Sequence, residues 1–131
     1  MIVLDTHAWV WWVSNPELLS DTARLAINDA GHNNELYVST ISAWEVAMLV
    51  QKGRLALALD VRDWIARSEA LPFITFVTLT NAIAVESVRL PDFPHPDPAD
   101  RIIVATAMSM GARLVTKDEK ILSYPHVRTV W

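Results

Sequence analysis

Short apolar runs punctuate the chain at residues 1–4, 36–39, 73–78 and 113–116, with a last one at 127–130. Each has the length of a strand, and residues 73–78 are rich in the β-branched and aromatic types that suit one. The segments between them carry helix signals. A helix over residues 7–13 stops at Ser14-Asn15-Pro16. Ser20 caps a second over 21–30, which Gly31 ends. Residues 42–52 form a third, stopped by Gly53, and Asp60 caps a fourth that runs to Ala70. Thr80 or Asn81 opens a fifth, to about Arg89. Residues 91–98 hold four prolines in eight positions and predict an extended loop. Asp97 then reads as an N-cap with Pro98 at the first helical position. The helix that follows, closed by Gly111, is apolar nearly all round and should be deeply packed. Strands separated by helices predict an α/β fold, with a mostly parallel sheet between two helical layers.

Four carboxylates fall at the joints of this pattern. Asp5 closes the first strand, and Glu45 lies in the first turn after the second. Asp100 opens the apolar helix, and Asp118 ends the run Leu114-Val115-Thr116. In an open parallel sheet the strand C-termini and the following helix N-termini share one edge, where α/β proteins place their sites. Acids crowded there repel one another and take up protons unless a cation neutralises them. The cluster therefore reads as a seat for a hard, oxygen-preferring ion such as Mg²⁺ or Mn²⁺.

Each acid also has a plainer reading. Ser42-x-x-Glu45 is a capping-box pattern, Asp100 favours a helix dipole, and Asp118 suits a turn in Lys117-Asp118-Glu119-Lys120. What weakens these readings is that all four positions fall on the same edge. Asp97 reads either as a cap or as an auxiliary ligand for metal or water. His7, His32, His95 and His126 show no paired ligand spacing, which argues against zinc. His7 reads as structural, at most at the pocket mouth. Trp9 and Trp12 should face the core, with Trp11 elsewhere on that helix. Lys52, Arg54, Lys117 and Lys120 are candidates to meet phosphates.

The 131 residues suffice for one domain, 1–131, with its own core. An apolar fraction of 52% and six tryptophans suggest a covered partner surface, hence a homo-oligomer. No apolar run reaches the roughly 18 residues of a bilayer span, and the N-terminus lacks signal-peptide character. The absence of cysteine excludes disulfides and thiolate sites and fits a cytoplasmic protein. A net charge of −4 argues against a broad basic nucleic-acid face. It leaves a nuclease open, because bound metal would cancel several acids.

The motifs Val3-Leu4-Asp5-Thr6-His7, Ser39-Thr40-Ile41-Ser42-Ala43-Trp44-Glu45, Asp97-Pro98-Ala99-Asp100-Arg101 and Leu114-Val115-Thr116-Lys117-Asp118 occur in that order. Together they resemble the PIN-domain ribonucleases, in particular the VapC-type toxins of toxin–antitoxin pairs, over nearly the whole chain. The resemblance implies a three-layer α/β/α fold and a metal-dependent endoribonuclease. Asp5, Glu45, Asp100 and Asp118 match the family's acidic ligands, and Thr116 matches a hydroxyl position that supports the last acid. It also implies a homodimer, an RNA substrate and a cognate antitoxin encoded nearby. Two other functions compete. One is phosphoryl transfer with Asp5 as nucleophile, which wants a second acid where this chain has His7. The other is a non-catalytic module whose acidic pocket docks a basic partner.

Overall fold

A computed structural model describes residues 1–131. Its five strands are β1 (Ile2–Leu4), β2 (Leu36–Ser39), β3 (Ile74–Val77), β4 (Arg113–Val115) and β5 (Thr129–Val130). They lie in the order β3-β2-β1-β4-β5, and every pairing is parallel. The sheet expected to be mostly parallel is wholly so.

The two-residue period of the strands sorts their side chains onto two faces. Ile2, Leu4, Leu36, Val38 and Ile74 join one buried cluster, and Val3 and Leu114 join the other. The first face is covered by Trp9, Ile27 and Trp64 from α1 (Thr6–Ser14), α2 (Asp21–His32) and α4 (Val61–Glu69). The second is covered by α5 (Asn81–Val88), α6 (Pro98–Met110) and α7 (Glu119–Leu122), through Ile83, Ile103, Val104 and Ile121. α3 (Thr40–Gln51) joins the two layers, with Val46 in the first cluster and Ile41 against the second. The result is the expected α/β/α sandwich. Burial on both faces explains why the strands read as unbroken apolar runs. No helix is long and apolar enough to cross a membrane.

Several boundaries fall where the caps put them. Ser20, Asp60, Thr80 and Asp97 each accept a backbone N–H with the side chain, and Gly111 closes α6 in the left-handed region at φ 63°. Others moved. Gly31 does not end α2, which continues through His32. Asn34 takes the left-handed conformation instead, at φ 55°. α3 begins at Thr40 and not at Ser42, because Ser39, the last residue of β2, is itself the N-cap and accepts from Ile41 N–H at 3.2 Å. Two short elements were not expected: the 3₁₀ turn Pro16–Leu18 and α7, which occupies what reads as a plain turn.

Chain order decides where a site can form. From β1 the chain steps outward through β2 to β3, then returns over the other face, by α5 and α6, to the far side of β1. Successive connections diverge between β1 and β4, which opens a crevice at their C-terminal ends. Asp5 and Thr116 are the first residues beyond those two ends.

Candidate functional site

Asp5 follows β1 directly and caps α1. Its Oδ1 accepts the Ala8 N–H at 2.8 Å, and its Oδ2 accepts the Thr116 hydroxyl at 2.5 Å. Thr116 Oγ1 in turn accepts the Asp118 N–H at 3.1 Å, so one buried hydroxyl ties the end of β1 to the end of β4. Burial raises the Asp5 carboxyl above its ordinary value. The Thr116 and Ala8 bonds oppose that rise, and Glu45 adds to it.

Glu45 is buried in the second turn of α3, one turn later than expected. The Thr6 hydroxyl donates to its Oε1 at 2.5 Å and is also hydrogen-bonded to the Ser42 hydroxyl at 2.9 Å. The capping-box reading is thereby corrected. Ser42 lies inside the helix, and Glu45 serves Thr6 of the neighbouring α1 instead of its own helix N-terminus.

Asp100 occupies the first turn of α6, with its side chain 22% exposed. Its carboxyl is raised from 3.8 to about 7, first by burial, then by the Asp97, Glu45 and Asp118 carboxylates, against the opposing pull of His95. Asp97 caps α6 through the Ala99 N–H at 2.8 Å and also faces the same cavity. Its two expected roles are compatible in space.

Asp118 caps α7 with Oδ1, which accepts the Lys120 and Ile121 N–H groups at 2.9 and 3.1 Å. Its Oδ2 accepts from His95 Nε2 at 2.8 Å. Burial pushes this carboxyl up, but the bond from His95 and the two backbone donors outweigh it and hold Asp118 below its ordinary value.

Asp5, Glu45, Asp97, Asp100 and Asp118 thus line one open cavity of about 430 Å³, with Thr6, His7, Trp11 and Lys117 completing its wall. Thr116 stands behind the wall, fully buried. Of the basic residues singled out in the sequence, Lys117 is in this wall, its Nζ 5.8 Å from the centre of the Trp11 ring. Arg54 lines an adjoining cavity that shares Thr6, His7 and Trp11 with the first. Lys52 and Lys120 line neither. Trp9 is fully buried, and Trp12, half-buried, packs edge-on against Phe73.

Sequence reasoning missed His95. Its partner Asp118 lies 23 residues away, so no local ligand spacing betrays it. The available signal was its place between Pro94 and Pro96, in a stiff loop leading straight to Asp97 and Asp100. The donor set as a whole suits a divalent cation. Five carboxylates face three basic side chains, His7, Lys117 and His95, and burial together with the neighbouring acids raises the Asp100 carboxyl to about 7. Carboxylate oxygens are the ligands that Mg²⁺ and Mn²⁺ favour.

The PIN domain matches residues 2–127 of the chain. The chain belongs to the PIN-domain family. It is 40% identical over 132 residues to Ribonuclease VapC22 of Mycobacterium tuberculosis, covering 99% of this chain and 98% of that protein. Among solved structures, VapBC2 from Rickettsia felis bound to a promoter DNA fragment superposes with a TM-score of 0.72 at 17% identity, covering 98% of this chain and 97% of the other. FitAcB from Neisseria gonorrhoeae gives 0.66 at 21% identity, over 98% and 96%. At such identities these likenesses speak for the fold, which they share with this chain.

Proposed function

We propose that this chain is a metal-dependent endoribonuclease, the toxin of a toxin–antitoxin pair, and that residues 1–131 form its single nuclease domain. The observation that carries the proposal is the meeting of Asp5, Glu45, Asp100 and Asp118, from four separate segments, around one cavity at the switch point of a parallel sheet. The relative named Ribonuclease VapC22 supports RNA as the substrate, and the solved VapBC and FitAcB assemblies support an antitoxin partner.

Mg²⁺ or Mn²⁺ held by the four acids would supply Lewis acidity toward the phosphodiester and lower the pKa of a coordinated water. The chain's own groups do the rest. Ala8 N–H and Thr116 fix the Asp5 carboxylate, and Thr6 fixes Glu45, so two ligands are held in place before the ion arrives. Asp100, facing the cavity from the first turn of α6, is the acid we assign to accept a proton from water. Lys117 presents an ammonium to phosphate from the wall. An Asp5 nucleophile is disfavoured, because that chemistry wants a second acid two residues on, where this chain has His7. Exposed Trp44, Val85 and Val88 leave apolar surface for an antitoxin helix or a second copy. The homodimer should appear in sedimentation at micromolar concentration without partner, and a strictly monomeric species would count against it. The setting proposed is the cytoplasm.

The direct test is cleavage of structured RNA by the purified protein. Activity should vanish in chelator, return with Mg²⁺ or Mn²⁺, and be absent from a folded Asp5→Asn variant. Undiminished cleavage after thorough chelation would remove the metal from the mechanism. Activity in Asp5→Asn would remove the site.

A further inference from the structure

His95 reaches the acids without belonging to the set of four. Its Nε2 stands 2.8 Å from Asp118 Oδ2 and 3.7 Å from Asp100 Oδ2. One donor atom from each of these residues can be chosen so that all lie within 4.8 Å of one another. At metal–ligand distances of about 2.0–2.2 Å, adjacent donors of an octahedral shell are about 3 Å apart and opposite donors a little over 4 Å. The trio already has nearly that spread.

Two further observations sharpen the point. Asp118 commits Oδ1 to the N-terminus of α7, so Oδ2 is the oxygen left for a cation, and that is the atom His95 holds. The imidazole also packs against Phe93, ring centres 5.9 Å apart, and Phe93 is itself held. Pro94 and Pro96 restrict its backbone. Phe93 packs edge-on against Tyr124 at 4.9 Å, the Tyr124 hydroxyl donates to the Pro91 carbonyl at 2.7 Å, and the Arg101 guanidinium lies 5.6 Å from the Phe93 ring. With its side chain 16% exposed, His95 is a placed group and not a swinging one.

We propose, building on the metal-dependent reading above, that His95 is a direct ligand. Its Nε2 joins the Asp100 and Asp118 carboxylates in a mixed nitrogen–oxygen seat. His95 Nε2 and Asp118 Oδ2 would together hold the ion, with the neutral ring carrying its proton on Nδ1. An imidazole nitrogen is a poor partner for Mg²⁺ and a good one for first-row transition ions. His95 therefore tilts the site away from Mg²⁺ and toward a transition ion, for which Mn²⁺ is the probe.

The experiment is pulsed electron paramagnetic resonance of Mn²⁺ bound to the full chain without nucleic acid. Wild type should show hyperfine coupling to a directly bound nitrogen, and isotope labelling of histidine should change that coupling. His95→Gln should lose it, weaken Mn²⁺ about tenfold or more, and change Mg²⁺ affinity by less than about threefold. His7→Gln, which alters the imidazole of the cavity wall, should keep the coupling. The labelled wild type makes the test independent of whether His95→Gln folds. Mn²⁺ bound without nitrogen coupling, or coupling lost in His7→Gln and kept in His95→Gln, would overturn the assignment and leave the nuclease reading standing. Failure to bind Mn²⁺ while Mg²⁺ binds would overturn the assignment alone, and failure to bind either ion would overturn both.

Discussion

Glu45 shows how much a single contact decides. As a capping residue it would contribute roughly 0.5–2 kcal/mol to the fold. Its carboxylate instead accepts from Thr6 and adds to the charge that raises Asp100. Glu45→Gln keeps an acceptor for Thr6 and removes that charge. The variant should therefore unfold at the same denaturant concentration as wild type, or a higher one, while RNA cleavage is abolished. A destabilised variant that retains cleavage would return Glu45 to a purely structural role. Such residues were legible because each lies at, or within two turns of, a strand end or a helix start, and the parallel topology collects such positions on one edge. His95 was not legible. Its contact with Asp118 depends on how a proline-rich loop crosses the sheet edge, which no local period or spacing encodes.

Among the elements, α6 is the one the sequence describes best, since Asp97, Pro98 and Gly111 mark its ends without help from the rest of the molecule. α3 is described worst, because its cap is the final residue of β2 and no loop separates the two. α7, a single turn, is too short for periodicity and is capped by Asp118. The double duty of Asp97, cap and cavity wall, can be separated by substitution. Asn caps a helix about as well as Asp, so Asp97→Asn should leave stability within a few tenths of a kcal/mol. It also removes the charge that, after burial, does most to raise Asp100. The Asp100 carboxyl should accordingly titrate lower than in wild type, as followed by carboxyl NMR on cation-free protein. Asp97→Ala should lose the cap as well, at a cost of about 0.5–2 kcal/mol. An Asp100 titration unmoved in both variants would mean that Asp97 acts on α6 alone.

At the scale of the whole molecule, the crowded acids make stability depend on pH and cation together. Asp5 and Asp100 are raised above their ordinary values, Asp100 from 3.8 to about 7. Between those two values the unfolded chain has released protons that the cation-free folded protein still binds, so stability falls as pH rises through that window. Asp118 runs the other way. Its lowered carboxyl contributes stability above the ordinary carboxylate value, lost only as pH falls through its own depressed value. Without cation, the window from about pH 3.8 to about pH 7 is therefore governed by Asp100, with Asp5 acting in the same direction, and the urea midpoint should decline across it. Asp100→Asn should flatten much of that decline. Saturating Mn²⁺ favours the ionised acids and should stabilise by about 2.7 kcal/mol at a hundred times its Kd. Because protons compete for the same oxygens, a fixed Mn²⁺ concentration should stabilise more at about pH 8 than at about pH 5. The measurement is a set of urea unfolding curves across that range in chelator and in Mn²⁺, for wild type and Asp100→Asn. A wild-type midpoint that is flat or rising in chelator would show that the folded protein does not hold these protons, and that the acids are too well solvated to need a cation.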